Sequence, residues 1–308
     1  MLRTFFVRLS ENPSLRSFAE RSTLGRRVSG RFVAGTEIAD AVRATQAINH
    51  SGMSVSIDNL GENVTNPDEA RHSAQLYYQI LDAIAANQLH ANISLKLTHM
   101  GLDVDEKLAR EIVSGLVAKA ASMDPPGFVR VDMEGSPYTQ RTLDFVRELH
   151  LMPGNANSVG TVIQSYLKRS KSDVENLLSE GIRIRLCKGA YKENEEIAFA
   201  AKSDVDANYV KLMKTLMKSG IYHGLATHDE KIIQQAQAFA TQEKLSRDSF
   251  EFQMLYGIRR DLQQSLVRAG WRVRIYIPFG SEWYPYFMRR LGERPANVLF
   301  IARNLLRA

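Results

Sequence analysis

The chain has 308 residues, of which 44% are hydrophobic, 24% charged and 8% aromatic. This composition is that of an ordinary globular protein, and it excludes the disordered, collagen-like and coiled-coil classes. The single cysteine, Cys187, excludes an internal disulfide and a cysteine-based zinc cage, so a reducing compartment such as the cytoplasm fits. Because no window approaches ~18 consecutive apolar residues, the sequence predicts no membrane-spanning helix.

The formal net charge of +6 is concentrated at the start of the chain. Residues 1–32 contain seven arginines, no lysine and two acidic residues, whereas the other 276 residues hold 33 basic and 32 acidic residues. This pattern predicts a basic helical segment at 1–32, followed by a single domain at 33–308. Three roles of the segment remain open: a transit peptide, a helix on an anionic membrane surface, and a packing or oligomerisation helix. Nucleic-acid binding is not expected, because no recognised motif or basic stripe is present.

From about residue 33 the chain alternates short β-rich runs with longer amphipathic stretches. Eight strands are predicted, at 54–60, 93–98, 128–134, 160–166, 182–188, 224–229, 250–255 and 273–278. Helical patterns fill the gaps, for example at 36–51, 67–87, 105–121, 138–149, 172–179, 196–218 and 230–243. Strands that alternate with helices predict parallel βαβ units, and eight units without a long linker predict an α/β fold of the closed (β/α)₈, TIM-like type. An open doubly wound sheet is the alternative, but its glycine-rich dinucleotide fingerprint is missing after the first strand.

The predicted strands alternate in polarity, although strands of a parallel sheet are usually apolar on both faces. If the apolar faces meet the outer helices, the polar faces line the barrel interior, where charges need partners or a ligand. The later polar residue of each strand then lies at the C-terminal mouth, where barrel enzymes build their active sites. These residues are Lys96, Asp132, Arg185 and Tyr276. The alternative is a set of purely structural ion pairs, with Asp132 neutralising Lys96 or Arg185.

The helix predicted after the eighth strand carries a second polar group. Four of its residues fall within two turns on one side: Tyr286, Arg289, Arg290 and Glu293. Two adjacent arginines at the end of an eighth βα unit are suited to bind a substrate carboxylate, because guanidinium groups match carboxylates bidentately. A solvated Arg/Glu face is the alternative, and the neighbouring aromatic residues disfavour it.

Several sequence phrases together resemble the proline dehydrogenase family. They are RLCKGAY at 185–191, ATHD at 226–229, EFQMLYG at 251–257 and YIPFG..W.PY..RRLGERPAN at 276–297. The resemblance covers about residues 50–305, and the length resembles the compact monofunctional bacterial type. It implies a distorted (β/α)₈ barrel with N-terminal helices, non-covalently bound FAD, and a last helix that lies over the flavin.

The resemblance also implies roles for individual residues through the matching motifs. Asp132 and Arg185 would be the catalytic residues of the site. Substrate would be bound by Lys96, Tyr276, Arg289, Arg290 and Glu293. FAD would be bound by Met133, Gln164, Lys188, Gly189, Ala190, Thr227 and His228, and no metal is expected. The segment at 256–260 departs from the family pattern and receives no role.

The reaction implied by the resemblance is oxidation of L-proline to 1-pyrroline-5-carboxylate, the first step of proline catabolism. Hydride would pass from proline C5 to flavin N5, and electrons would then pass to a membrane quinone. A peripheral contact with the inner membrane is implied as well, with the basic segment as its candidate; a homo-oligomer is compatible with the sequence. Three rivals remain: a methylenetetrahydrofolate reductase, a Schiff-base aldolase barrel using Lys96 or Lys188, and a non-catalytic proline sensor.

Overall fold

Eight parallel strands close into a barrel in which each strand pairs with its neighbours in sequence and β8 pairs with β1. The computed structural model describes residues 29–293, with side chains through Met288. The strands are β1 (Ser54–Asn59), β2 (Ala91–Leu95), β3 (Val129–Val131), β4 (Val159–Gln164), β5 (Arg183–Cys187), β6 (His223–Ala226), β7 (Phe250–Leu255) and β8 (Val273–Phe279). The predicted (β/α)₈ fold is therefore confirmed.

Helices cover the outside of the barrel and connect successive strands. In chain order they are α1 (Ile38–His50), α2 (Pro67–Ala86), α3 (Glu106–Ala121), α4 (Ser136–Leu151), α5 (Ser170–Ser179), α6 (Lys202–Lys218), α7 (Glu230–Gln242), α8 (Arg260–Arg268) and α9 (Trp283–Glu293), with a 3₁₀ turn at Thr98–Met100. None of the helices in this described range is long and apolar enough to cross a membrane.

Two predicted elements are shorter than expected. The helix predicted at 196–218 begins only at Lys202, because the preceding segment pairs with the loop after β4: Lys168 N donates to Ile197 O at 2.9 Å. The strand predicted at 224–229 ends at Ala226, because Asp229 instead caps α7 and accepts from Lys231 N at 3.2 Å. Both corrections concern loops at the C-terminal mouth.

The predicted alternation is confirmed: the apolar residues of each strand face the helices, and the polar residues face the barrel interior. The apolar residues of the strands form the core under the helices, where Ile93, Val131 and Ile184 are fully buried. The alternate residues point inward and contact each other across the barrel, as in the 3.1 Å bond from Arg185 Nη2 on β5 to Ser56 Oγ on β1. The interior of this barrel is therefore polar.

The aromatic residues of α9 pack over the barrel mouth. Trp283 and Phe287 are buried against Phe32 and Leu60, in a cluster that Tyr284, Tyr286 and Met288 complete. Ala34 N also donates to Pro278 O at 2.9 Å, which connects the segment before α1 to β8. The aromatic residues of this helix are therefore buried, while most of the predicted basic segment, residues 1–28, lies outside the described residues.

His223 is a buried histidine whose two ring nitrogens both have partners. At the start of β6, Nδ1 accepts a hydrogen bond from Ile184 N at 3.0 Å, and Nε2 lies 3.0 Å from Ser219 Oγ. This arrangement requires a neutral ring that donates from Nε2. Burial and the positive charges of Arg130 and Arg183 lower the pKa of His223 to about 3.

We expect this histidine to make the protein sensitive to acid. The unfolded chain takes up the proton near pH ~6.5, whereas the folded chain resists it until about pH 3, so stability is lost as the pH falls through this window. His223→Gln keeps an acceptor for Ile184 N but removes the titration. Urea unfolding between pH ~4 and 6 should show a shallower pH dependence for His223→Gln, by about one proton. The exposed His72→Gln should retain the wild-type slope; equal slopes for all three proteins would contradict the assignment.

Candidate active site

Arg185 lies at the centre of the barrel interior and binds side chains from four other strands. Its Nε donates to Gln253 Oε1 on β7 at 2.5 Å, and Nη1 donates to Asp132 Oδ1, just after β3, at 2.6 Å. Further bonds reach Ser94 Oγ on β2 and Ser56 Oγ on β1, both at 3.1 Å. Two residues predicted for the site, the buried Arg185 and the half-buried Asp132, thus form an ion pair.

Asp58 forms a second buried centre next to this pair. It accepts hydrogen bonds from Tyr276 at 2.5 Å and from Tyr77 at 3.1 Å, and Lys96 Nζ lies 3.8 Å away. The hydroxyl of Tyr276 also lies 3.4 Å from Asp132 Oδ2, so the two centres are connected. The predicted residues Lys96 and Tyr276 are therefore brought to the same place as Arg185 and Asp132.

Sequence reasoning missed Asp58 and Gln253. Both lie on the polar face of their strands, since Ser54, Ser56 and Asp58 alternate with apolar residues in β1, and Gln253 alternates in the same way in β7. The alternation that selected the four predicted residues was a sufficient signal for these two as well.

The two cations and two carboxylates of this site balance in charge. Burial raises the pKa of Asp58, against the opposing effect of Lys96. Burial on its own would lower the pKa of Lys96, but the carboxylates of Asp58 and Asp132 raise it. Burial and the same carboxylates raise the pKa of Tyr276 well above its ordinary value. Lys96 therefore remains an ammonium, and Tyr276 remains a neutral hydrogen-bond donor.

A cavity of about 300 Å³ lies above this polar layer. Lys96, Asp132, Arg185 and Tyr276 line its polar side, and Tyr286 of α9 lines it from above. Its other walls are largely apolar and include Met133, Val162, Ala226, Met254 and Leu255. A small ligand with one charged end and one apolar end fits such a lining.

Cys187 also lines the cavity, but its chemistry is that of a neutral thiol. Burial raises the pKa of Cys187 to about 12. A thiol in this state is a poor nucleophile, because the thiolate is the reactive form.

The remaining substrate-binding predictions fall at the end of α9. The backbone of this helix includes Arg289, Arg290 and Glu293, but their side chains lie outside the described part of the structure. Tyr286, one turn earlier, faces the cavity. The roles of these three residues therefore stay predictions.

Gln164 supplies a test of whether the site suits a flavin. It is 2% exposed, and its Nε2 donates to the carbonyl oxygens of Met133 and Glu134, at 3.3 and 2.8 Å. Its Oε1 is buried without a hydrogen-bond partner among the described residues. Since buried polar atoms normally have partners, this acceptor at the end of β4 fits a donor on a bound group.

The other residues predicted to bind the cofactor surround the ends of β5 and β6. His228 Nε2 accepts from Leu255 N at 2.9 Å, and both His228 and Ala190 line the cavity. Thr227 is buried and its Oγ1 accepts from Asp229 N at 3.0 Å.

Lys188 and Gly189 shape the turn after β5. Lys188 Nζ lies 2.5 Å from Asp206 Oδ1 of α6 and 2.9 Å from Oδ2 of Asp229, the N-cap of α7, so its charge is already compensated by these two carboxylates. Gly189 has φ +111°, and a Cβ atom there would lie 2.3 Å from the ring of Tyr166, so only glycine fits. The cofactor roles of both residues remain predictions.

The segment at 256–260, which had no role from the sequence, starts α8. Arg259 precedes α8 in a left-handed conformation with φ 51°, and it pairs with Asp261 in the first turn of α8 and with Glu230 of α7. The guanidinium of Arg260 lies 5.7 Å from the ring of Tyr256. These contacts hold the start of α8 in place and indicate a structural role for the segment.

Comparison with known proteins identifies the family of this chain. The family model described as proline dehydrogenase matches residues 41–303. The chain belongs to the proline dehydrogenase family. It is 38% identical over 303 residues to "Proline dehydrogenase 2" of Bacillus subtilis (strain 168), covering 98% of both chains. It is 37% identical over 310 residues to "Proline dehydrogenase" of Deinococcus radiodurans, covering 100% of this chain and 98% of that protein. The predicted family and its oxidoreductase class are confirmed.

A crystal structure supports the fold of the family. The barrel is similar to proline utilization A from Bdellovibrio bacteriovorus, in the form inactivated by N-propargylglycine. The TM-score is 0.80 at 24% sequence identity, and the match covers 87% of this chain and 32% of that one. The closed barrel described above is therefore the fold found in that protein.

We expect Arg185→Met to destabilise the protein by about 3–5 kcal/mol, because it removes a buried cation with four hydrogen bonds and leaves the half-buried carboxylate of Asp132 without its partner. The double variant Arg185→Met/Asp132→Asn should cost less than the sum of the single changes, since the uncompensated charge is removed. Urea unfolding at pH 7 measures both. As the control, Arg71→Met removes an exposed ion pair with Asp68 and should cost at most about 1 kcal/mol. Additivity of the two interior variants would contradict a coupled pair.

Proposed function

We propose that this protein oxidises L-proline to 1-pyrroline-5-carboxylate, the first step of proline catabolism, using FAD as hydride acceptor and a quinone as electron acceptor. The observation that carries the proposal is the cavity in which Lys96, Asp132, Arg185 and Tyr276 meet beneath α9. Membership of the proline dehydrogenase family supports the substrate. The Bacillus and Deinococcus relatives, which carry that name, match over almost their entire length.

The substrate carboxylate is assigned to the positive end of the cavity. Positions 289 and 290 follow Tyr286 by three and four residues, and helical periodicity puts such positions on one face. Tyr286 faces the cavity, so Arg289 and Arg290 are proposed to bind the carboxylate together with Lys96. Glu293 is proposed to hold one of the arginines in place. Anchoring at this end fixes the proline ring against Tyr276. Its contribution to the rate is to hold C5 in the reactive position.

The residues around the carboxylate also favour the reactive form of the amine. Loss of hydride from C5 needs the nitrogen lone pair, so the amine must be unprotonated. Lys96 stays charged beside Asp58, and Arg185 stays charged beside Asp132, so both carboxylates are already neutralised by cations of the protein. The site therefore stabilises a protonated substrate amine little, and the neutral amine binds more favourably than the protonated one.

The cofactor is assigned to the ends of β4, β5 and β6. Gln164 Oε1 offers an unpartnered acceptor, and Met133, Ala190 and His228 line the adjoining wall. Lys188, Gly189 and Thr227 are proposed to complete the FAD site. FAD, when bound, supplies the hydride acceptor that no amino-acid side chain provides. The protein holds and orients both reactants and excludes water with the aromatic cluster of α9.

The proposal predicts that two arginine variants fail in different ways. Arg290→Met removes a carboxylate contact present in both ground and transition states, and should raise KM for proline by roughly 30- to 1000-fold, about 2–4 kcal/mol, with flavin still bound. Arg185→Met should instead lower kcat or weaken flavin binding. Steady-state assays with a soluble dye measure both effects, and the visible spectrum before and after anaerobic addition of proline reports flavin content and its reduction.

Pyrrolidine and an exposed arginine provide the controls for this experiment. Pyrrolidine lacks the carboxylate, so its turnover or inhibition should be insensitive to Arg290→Met. Arg43→Met removes an exposed arginine of α1, 69% accessible at its side chain, and should leave KM unchanged. An unchanged KM in Arg290→Met would remove the carboxylate role of α9. A folded protein that binds no flavin in the presence of ample FAD would overturn the proposal as a whole.

The quinone acceptor implies a contact with a membrane surface, which we assign to the basic segment at the start of the chain. Residues 1–28 carry six arginines and two acidic residues. We choose a deletion of residues 1–28 because the next residue, Ser29, is buried in the structure. The truncated protein should bind anionic vesicles more weakly, because each basic residue near such a surface contributes ~1 kcal/mol, yet retain proline oxidation with a soluble dye. Equal sedimentation of both proteins with phosphatidylserine vesicles would exclude this role.

A further inference from the structure

A second cavity, of about 560 Å³, opens at the opposite end of the barrel, where the strands begin. We call it the floor cavity and define it by Asn92, Arg130, Arg183, Glu251 and Arg274, which line it. These side chains belong to β2, β3, β5, β7 and β8 and point into the barrel below the layer of Arg185. The floor cavity is thus separated from the substrate site by the whole polar layer.

The floor cavity has more positive than negative groups. Three guanidinium groups face two carboxylates, those of the exposed Asp124 and the buried Glu251. The carboxylate of Glu251 already accepts from Arg274 Nε at 2.6 Å, Tyr222 Oη at 2.8 Å and Gln253 Nε2 at 2.6 Å. Arg130 and Arg183 have no carboxylate within ion-pair distance among the described residues. The buried Arg130 and the half-buried Arg183 therefore lack a directly paired counter-charge, which is costly away from water.

Several hydrogen-bonding groups in the floor cavity are also unused. Arg130 donates from Nη1 to the carbonyls of Thr161 and Arg183, at 2.8 and 2.7 Å, while its buried Nε has no partner in the described chain. Arg183 makes one bond, from Nε to Tyr222 O at 3.3 Å, and its guanidinium stacks 4.3 Å from the ring of Phe128. Arg130 is 3% and Asn92 7% exposed, and Asn92 Oδ1 is likewise unpartnered.

The local packing fixes the position of the Arg130 and Arg183 guanidinium groups. A Cβ atom at Gly160 would lie 2.8 Å from Arg130 Nη1 and 2.3 Å from Arg183 O, so the absence of a side chain on β4 makes room for the guanidinium. The guanidinium carbons of Arg130 and Arg183 both lie against the ring of Phe128, at 4.6 and 4.3 Å from its centroid. Burial and the neighbouring arginines lower the pKa of Arg130, which agrees with a surplus of positive charge.

We propose that the floor cavity is a binding site for a phosphate group, held by Arg130, Arg183 and Arg274. Arginine forks match phosphate oxygens, and an anion here compensates the two unpaired cations. Asn92 Oδ1 offers an acceptor for the hydroxyl of hydrogen phosphate. Free phosphate and the phosphate of a small phosphomonoester share this chemistry.

The test is a calorimetric titration of the flavin-loaded, full-length protein with inorganic phosphate, in a buffer without phosphate or sulfate. We expect saturable binding at one site per chain. Arg183→Gln should weaken it by about tenfold or more, as expected for the loss of one charge-assisted contact. Arg183 makes only one hydrogen bond in the structure, so this variant should keep its fold and flavin spectrum. Arg71→Gln, which alters an exposed arginine, is the matched control and should bind like wild type.

A second variant tests the charge argument without removing an arginine. Asn92→Asp places a carboxylate among the three guanidinium groups, and should both abolish phosphate binding and raise the thermal midpoint measured without phosphate. Arg290→Met separates this site from the proposed carboxylate site, and should leave phosphate binding unchanged. This result is independent of whether proline is the substrate.

Glycerol 3-phosphate distinguishes the two sources of the phosphate group. Equal or tighter binding than inorganic phosphate indicates a phosphomonoester, and binding of inorganic phosphate alone indicates the free ion; either result supports the site. Absence of saturable binding by wild type would overturn the proposal. Equal affinities for wild type, Arg183→Gln and Asn92→Asp, or loss of binding in Arg290→Met, would overturn it too.

Discussion

The site depends on the guanidinium of Arg185, which binds residues from four other strands. Its bonds to Asp132, Ser94 and Ser56 extend on one side to β1, the strand opposite β5, and its bond to Gln253 reaches β7 on the other side. A planar group with five donors in a fixed geometry can satisfy all of these acceptors at once, which an ammonium cannot do. Arg185 thus positions Asp132 directly. Tyr276 connects Asp132 to Asp58, which in turn lies beside Lys96.

Small residues on the neighbouring strands make this arrangement possible. A Cβ atom at Gly224 would lie 2.2 Å from Gln253 Nε2, just as one at Gly160 would collide with Arg130. The barrel thus contains large polar side chains on some strands and no side chain on others at the same level. The contacts inside the barrel are hydrogen bonds and ion pairs, which strengthen one another where water is excluded.

The sequence was sufficient to predict the barrel and which strand residues point into it, but not which of those residues pair with one another. Alternation within single strands identifies Lys96, Asp132, Arg185 and Tyr276 as inward residues, because side chains in a strand alternate with period two whatever the register. The partner of each charge depends on how strands shift relative to one another around the ring. Asp132 binds Arg185 and Asp58 binds Lys96 because of that stagger. Asp58 and Gln253 follow the same alternation in β1 and β7, so their parity was predictable too, although their partners were not.

The hydrogen bond between Tyr276 and Asp58 joins residues that are 218 positions apart in the chain. It forms across the β1–β8 seam, the last pairing that closes the ring. Contacts of such long sequence separation are slow to form, because the chain must order most of its length first. A chain with seven strands assembled would therefore have most of its core but no complete site. In a refolding chain, competence for ligand binding reports closure of the barrel, whereas helix content reports only the assembly of its parts.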